Sequence, residues 1–124
     1  MKLEPLLYVS DFQKSIRFYS KVLGFELGEL YPNKENPSYV PIFIGTSKLM
    51  LAQARKTNKK FYSKGLGGSG AQFFVQVNNV DKKWRQVKDK VEIIDEIETR
   101  DWGDREFTIK DPDGYLISFF TPTK

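Results

Sequence analysis

The stretch WGDREFTIKDPDGYLISFF, residues 102–120, decides the fold. It predicts two strands joined by a tight turn, because Pro112 presets φ at the first central turn position and Gly114 tolerates the positive φ needed near the exit. Residues 116–120 have the β-branched and aromatic character of a buried strand. Trp102 and Gly103 precede this hairpin, where the indole either covers what the strands enclose or packs in a surface turn.

The composition excludes several classes of chemistry. A chain of 124 residues predicts one domain with a single sizeable core. No apolar run approaches the roughly 20 residues of a membrane span, and no signal peptide is evident, which predicts a cytoplasmic protein with no membrane partner. The chain has no Cys and no His, so the commonest metal ligand and general base are missing. A net charge of +4 is too small to indicate nucleic acid.

Apolar spacing outlines the remaining elements. Strands are predicted at residues 2–9, 25–31, 39–44, 48–54, 72–77 and 93–98. Two helices are predicted, one at 11–23 that begins at Ser10 or Asp11 and ends at Gly24, and one from Asn79 to about residue 91. Their apolar stripes share the spacing four, three, four: Phe12, Ile16, Tyr19 and Leu23, and then Val80, Trp84, Val87 and Val91.

The two halves of the chain repeat each other. Adding 68 to the residue number carries Val9 onto Val77 and Asp11 onto Asn79, and it lays LML at 49–51 over ISF at 117–119. The sequence therefore predicts two βαβββ modules within one domain, residues 1–54 and 71–124, joined by a polar, glycine-rich connector at 55–70.

Strand alternation separates two faces of the predicted sheet. One face is wholly apolar and should form the core under the helices: Leu7, Val9, Leu49, Leu51, Phe73, Val75, Val77, Ile117 and Phe119. The other mixes apolar and polar residues: Glu4, Leu6, Tyr8, Met50, Ala52, Gln72, Phe74, Gln76, Leu116, Ser118 and Phe120. The mixed face suits a ligand pocket, with an oligomer contact as the alternative.

Several motifs in order resemble the vicinal oxygen chelate superfamily, which includes glyoxalase I, extradiol dioxygenases, fosfomycin-resistance enzymes and bleomycin-resistance proteins. They are LLYVSD at 6–11, RFY at 17–19 with LGF at 23–25, and DPDG at 111–114. Trp102-Gly103 followed by REF at 105–107 is similar to the bleomycin-resistance branch. The resemblance implies an α+β fold of paired βαβββ modules forming a cupped, mostly antiparallel sheet with helices on its outer face, and a homodimer.

The resemblance also locates the four ligand positions of metal-dependent members, which fall here on Glu4, Met50, Gln72 and Ser118. The repeat agrees, since 72 − 4 and 118 − 50 are both 68. A hard divalent ion prefers carboxylate, amide or imidazole donors, whereas Met50 offers a soft thioether and Ser118 a weak hydroxyl. We therefore expect no metal, no cofactor and no catalytic residue. The alternative is a metal-dependent glyoxalase-like lyase or dioxygenase with an atypical site.

The resemblance to the bleomycin-resistance branch implies a metal-independent small-molecule binding protein of that type, which holds an antibiotic or another aromatic ligand. Trp102 is the predicted stacking surface, and Phe61 or Tyr62 in the connector would close the other side. Met50 and Phe74 would form an apolar wall, while Gln72 and Ser118 would hydrogen-bond to the ligand. Glu4 is expected to have a raised pKa unless a cation, from the ligand or from the protein, pairs with it.

The charge of the connector indicates what charge the ligand carries. Its basic residues favour an anionic or neutral ligand or form a solvated loop: Arg55, Lys56, Lys59, Lys60 and Lys64. Acidic residues of the second module partly offset them: Asp95, Glu96, Glu98, Asp101 and Asp104. The mixed basic and aromatic run at 59–62 offers nucleic-acid binding as a further alternative. We expect no nucleic-acid partner.

Overall fold

The computed structural model describes residues 1–54 and 70–123, and the chain separates into two compact units, Met1–Gly67 and Gly68–Lys124. The first unit contains β1 (Leu6–Val9), α1 (Phe12–Arg17), a π-helical segment (Phe18–Val22), β2 (Glu26–Leu27), β3 (Tyr39–Ile44) and β4 (Ser47–Gln53). The second contains β5 (Gln72–Gln76), α2 (Val80–Val87), β6 (Glu92–Thr99), β7 (Asp104–Lys110) and β8 (Leu116–Pro122). Each unit is a βαβββ module, which confirms the predicted α+β class.

Each module builds one four-stranded sheet with the same strand order. The orders are β1-β4-β3-β2 and β5-β8-β7-β6, and in each sheet the first pair is parallel and the others antiparallel. Leu6 lies opposite Met50 in the first sheet, and Phe74 lies opposite Ser118 in the second. Phe74 lies 68 residues after Leu6, and Ser118 lies 68 residues after Met50. The repeat seen in the sequence therefore extends to the register of the paired strands.

The starts of the two helices repeat as well. Asp11 Oδ1 accepts the Lys14 N–H at 3.1 Å, and Asn79 Oδ1 accepts the Lys82 N–H at 3.1 Å. Both predicted N-caps are confirmed, and each satisfies a donor that the first helical turn leaves unpaired.

A second capping contact comes from the last strand of each module. Gln53 Oε1 accepts the Phe12 N–H at 3.0 Å, and Thr121 Oγ1 accepts the Val80 N–H at 3.1 Å. These residues are also related by 68. Each helix is therefore attached to the sheet at its first residue.

The first helix is less regular than predicted. Only Phe12–Arg17 is α-helical, and the Leu23 N–H then bonds to the Phe18 carbonyl at 3.0 Å, five residues back. The Ser20 hydroxyl donates to the Ile16 carbonyl at 2.6 Å and competes with the helical ladder where the pitch changes. Gly24 ends the segment as predicted, with a φ of 78° that favours glycine.

Prolines explain two strands that are shorter than predicted. β1 begins after Pro5, which has no N–H to donate and only accepts a bond from the Met50 N–H. β2 ends at Leu27 because the next position faces Pro41, where the Gly28 N–H donates to the Pro41 carbonyl at 2.8 Å and no bond can return.

The apolar face forms much of the core of each module. Six of its nine predicted residues are buried, and Phe73, Val75 and Val77 are half-buried. Val40, Ile42, Phe107 and Ile109 complete the buried face from β3 and β7. On α1 the prediction was wrong at one position: Ser15 is fully buried and Ile16 only half-buried.

The β7–β8 hairpin forms around the predicted turn. Gly114 has a φ of 90°, and Asp111 Oδ1 accepts the N–H groups of Asp113 and Tyr115 at 2.9 and 2.8 Å. No helix in the described part of the chain is long and apolar enough to cross a membrane.

Candidate functional site

The face of the second sheet that lies away from α2 carries three of the eight predicted binding residues, Gln72, Phe74 and Ser118. We call it the distal face: Gln72, Phe74, Gln76, Glu106, Thr108, Lys110, Leu116, Ser118 and Phe120. The opposite face packs under α2, because the Phe107 and Phe119 rings contact Trp84 and Lys83 respectively. Strand alternation then directs the even-numbered residues of β5, β7 and β8 to the distal face.

A chain of hydrogen bonds connects three side chains of this face. Gln72 Nε2 donates to Ser118 Oγ at 2.8 Å, and Ser118 Oγ lies 2.6 Å from Thr108 Oγ1. Ser118 is fully buried and Thr108 nearly so, whereas Gln72 is exposed. The structure thus brings together Gln72 and Ser118, two predicted site residues, and adds Thr108, which the sequence analysis missed.

The aromatic part of the distal face is next to these polar groups. Phe74 lies opposite Ser118, and its ring meets the Phe120 ring edge to face, with 6.2 Å between centroids. Phe74 remains 59% exposed, although it is large and apolar. An exposed ring of this kind is a surface that a ligand or another chain can cover.

A buried carboxylate also belongs to the distal face and was not predicted. The Glu106 side chain is only 6% exposed, and its Oε1 lies 3.4 Å from Arg100 Nε. Arg100 also pairs with Glu98 and, at 3.8 Å, with Asp95. A single guanidinium therefore faces three carboxylates, so the cluster is acidic. The alternating pattern of β7 was the signal that would have placed Glu106 beside Thr108.

Trp102 lies in the turn between β6 and β7 and is 69% exposed. Its neighbour Gly103 has a φ of 100° and is held by two backbone bonds, one to the Arg100 carbonyl and one from the Thr123 N–H. The turn is therefore fixed while the indole is left largely in solvent.

The first module places Glu4 and Met50 differently from the corresponding pair in the second. Glu4 forms ion pairs with Lys2 at 3.0 Å and with Lys48 at 3.5 Å. The hydrogen bond from Lys2 and the charges of both lysines lower the pKa of Glu4 despite some desolvation. The cations that pair with Glu4 are therefore two lysines of the protein itself, Lys2 and Lys48. Met50 lies in β4 between Leu6 of β1 and Pro41 of β3.

The donors at the family's metal positions do not fit a hard divalent cation. In the first module Glu4 is neutralised by lysines and Met50 offers only sulfur. In the second, the Ser118 oxygen is hydrogen-bonded to Gln72 Nε2 and to Thr108 Oγ1, so within the described part of the chain the Gln72 amide oxygen is the one hard donor that these two residues leave unpaired. Within residues 1–54 and 70–123, no three His, Cys, Asp or Glu side chains are grouped so that they could hold a metal ion.

The two remaining predicted site residues, Phe61 and Tyr62, lie outside the described residues, as do the basic residues of the connector. Two open cavities of about 510 Å³ each lie elsewhere. The first is lined by Asp11, Phe12, Gln13, Pro32, Glu35, Asn36, Pro37, Ser38 and Gln53. The second is lined by Trp84, Lys88, Asp89, Ile93, Ile94 and Glu96.

Comparison with known proteins agrees with this architecture. The family model of the Glyoxalase/Bleomycin resistance protein/Dioxygenase superfamily matches residues 3–119, and the chain belongs to this superfamily. A bleomycin resistance protein of Geobacillus stearothermophilus is 27% identical over 131 aligned positions, covering 97% of this chain and 96% of the relative.

Solved structures share the fold. TioX from Micromonospora sp. ML1 superposes with a TM-score of 0.78 at 19% identity, covering all of this chain and 98% of that one. TnmS3, an antibiotic binding protein from Streptomyces sp. CB03234, gives a TM-score of 0.73 at 19% identity, covering 98% of this chain and 95% of that one.

Proposed function

We propose that the protein is a small-molecule binding protein of the bleomycin-resistance type, which holds an antibiotic or another aromatic ligand without a metal ion and without bond chemistry. The observation that carries the proposal is the pair of exposed aromatic side chains, Phe74 and Trp102, on a module whose neighbouring polar groups are ordered by hydrogen bonds. Large rings left in solvent gain free energy when a planar ligand covers them.

The relatives support the choice of ligand class. The Geobacillus stearothermophilus relative, a bleomycin resistance protein, aligns over nearly the full length of both chains. The superfamily also contains enzymes, and the donor chemistry favours a binding protein over a metal-dependent enzyme. Glu4 is paired with lysines, and Ser118 is buried and hydrogen-bonded, so neither is arranged to ligate a hard cation.

The proposal assigns a role to each site residue of the second module. Trp102 and Phe74 would stack on the ligand and Gln72 would supply the polar contact, all three from the second module. Ser118 would act through Gln72, since its own hydroxyl is buried. The binding roles of Glu4, Met50, Phe61 and Tyr62 remain predictions from the sequence.

Calorimetric titration with metal-free bleomycin tests this function. Wild type should bind one ligand per chain, and Trp102→Ala and Phe74→Ala should each weaken binding by about five- to thirtyfold, the usual effect of removing a stacked ring. Tyr31→Ala is the matched control, because Tyr31 is an exposed aromatic residue of the first module to which no binding role is assigned. Equal losses in all three variants, or no binding by wild type, would contradict the proposal.

The homodimer and the cytoplasmic location expected from the sequence are part of the proposal. Light scattering of the purified protein should give twice the chain mass, and cell fractionation should recover the protein in the cytoplasm. A monomer by light scattering would remove the dimer from the proposal and leave the binding site to be tested separately.

A further inference from the structure

We infer that Gln72 is a specificity-determining residue that recognises a hydrogen-bond donor of the ligand through its carbonyl oxygen Oε1, and that Ser118 and Thr108 are positioning residues that hold it. The inference rests on the proposed function and deepens it, because it defines what the polar edge of the ligand must present. The ligand would carry an N–H or O–H group, as an amide, amine or hydroxyl does.

The geometry of the amide gives the first step. Gln72 Nε2 donates to Ser118 Oγ at 2.8 Å. Since the amide is planar and its oxygen and nitrogen point in different directions, this bond turns Oε1 away from Ser118. Among the described residues no group donates to Gln72 Oε1, and Gln72 is exposed. The part of the Gln72 side chain that remains available to a ligand is therefore its carbonyl oxygen, a hydrogen-bond acceptor.

The burial of the two hydroxyls gives the second step. Ser118 and Thr108 are both buried, and their oxygens are 2.6 Å apart. A buried hydroxyl that lost its partner would be left unsatisfied, so the pair holds the Ser118 oxygen in place to receive the Gln72 amide. An exposed glutamine otherwise samples many rotamers, and anchoring it in advance reduces the entropy lost on binding.

A double-mutant cycle with metal-free bleomycin tests the inference. Gln72→Ala and Thr108→Val should each weaken binding about fivefold, the effect of losing one hydrogen bond. In the Gln72→Ala background Thr108→Val should have no further effect, because Thr108 acts only through Gln72. Thr108→Ser should restore wild-type binding. A Thr108→Val loss that is the same in both backgrounds would show a merely structural role and overturn the inference.

A second measurement needs no ligand. The Gln72 side-chain amide should have a high NMR order parameter in wild type, and it should become mobile in Ser118→Ala and Thr108→Val. Gln76 is the control, since it is exposed on the same strand and face. A Gln72 amide as mobile as that of Gln76 in wild type would overturn the inference. An ordered amide in a protein that does not bind bleomycin would instead contradict only the proposed ligand.

Discussion

The guanidinium of Arg105 in β7 forms an ion pair with the carboxylate of Asp81 in α2 through two of its nitrogens, Nε and Nη2. Arg105 Nε lies 3.1 Å from each carboxylate oxygen, and Nη2 lies 3.0 Å from Oδ1. The remaining nitrogen, Nη1, donates to Thr99 Oγ1 at 3.2 Å. The bond from Arg105, followed by the charges of Arg105 and Arg85, lowers the pKa of Asp81 below its ordinary value of 3.8. The contact ties the first turn of α2 to the sheet.

This ion pair predicts a pH-dependent contribution to stability. Because the pKa of Asp81 is lower in the folded state, the contribution is present above pH 3.8 and is lost as the pH falls through that lowered value. Both side chains are partly exposed, so solvent screening limits the loss in Asp81→Asn to about 0.2–1 kcal/mol at pH 7. Urea unfolding across pH 2–7 measures it. A difference that persists unchanged at the lowest pH would contradict this reading, and Asp89→Asn serves as the control.

The strand-to-helix caps give a second prediction. Thr121→Val removes the acceptor of the Val80 N–H and the donor to the Val77 carbonyl, and it should cost about 1–2 kcal/mol. Gln53→Ala should cost at least as much, because the Gln53 amide accepts one bond and donates to several carbonyls. Denaturant unfolding measures both losses. Gln13→Ala, on the exposed side of α1, should change stability little, and an equal loss there would argue against the caps.

Ser15 predicts a stabilising substitution. Its hydroxyl is fully buried on α1 and has no hydrogen-bond partner among the described residues. Ser15→Ala removes this unsatisfied group and improves helix propensity, so it should raise the free energy of unfolding by about 0.5–2 kcal/mol. Thermal and urea unfolding would detect the gain. A loss of stability would mean that the hydroxyl contributes favourably where it lies. Ser20→Ala is the comparison, because the Ser20 hydroxyl is bonded to the Ile16 carbonyl.

The pair of Glu4 with two lysines predicts a titration change. Lys2→Met and Lys48→Met should each raise the pKa of Glu4, Lys2→Met more, because the hydrogen bond from Lys2 is the largest cause of the lowering. NMR titration of the Glu4 side-chain carboxyl measures both shifts. Lys14→Met, on α1, is a control that should leave the Glu4 titration unchanged. A Glu4 pKa that does not respond to either lysine would require another source for the lowering.

Local patterns in the sequence were enough to predict much of the fold. The caps at Asp11 and Asn79 and the glycines at 24 and 114 depend on short-range chemistry, and the structure confirms each of them. The repeat of 68 residues was visible as a pattern along the chain, and the strand registers follow it. The pitch change after Arg17, where the Ser20 hydroxyl donates to the Ile16 carbonyl, has no signature in the apolar spacing.

The site was harder to predict because it depends on pairing across strands. Alternation placed Gln72 and Ser118 on one face, but their partner Thr108 follows from the β7–β8 register. The repeat of 68 does not locate this partner. Thr108 takes the place of Pro41, an offset of 67, because nine residues separate Thr108 from its partner Ser118 and only eight separate Pro41 from its partner Met50. Likewise, Glu106 could be paired with Arg100 only once the β6–β7 turn was known.

In the proposed function, ligand binding needs no metal ion. The most direct measurement is calorimetric titration of metal-free bleomycin into protein that has been stripped by exhaustive chelation and then freed of chelator. We expect the stripped protein to bind bleomycin with the same stoichiometry and affinity as untreated protein. Loss of binding on stripping, with recovery after the protein is reloaded with Ni²⁺ or Zn²⁺ and the excess is removed, would contradict it.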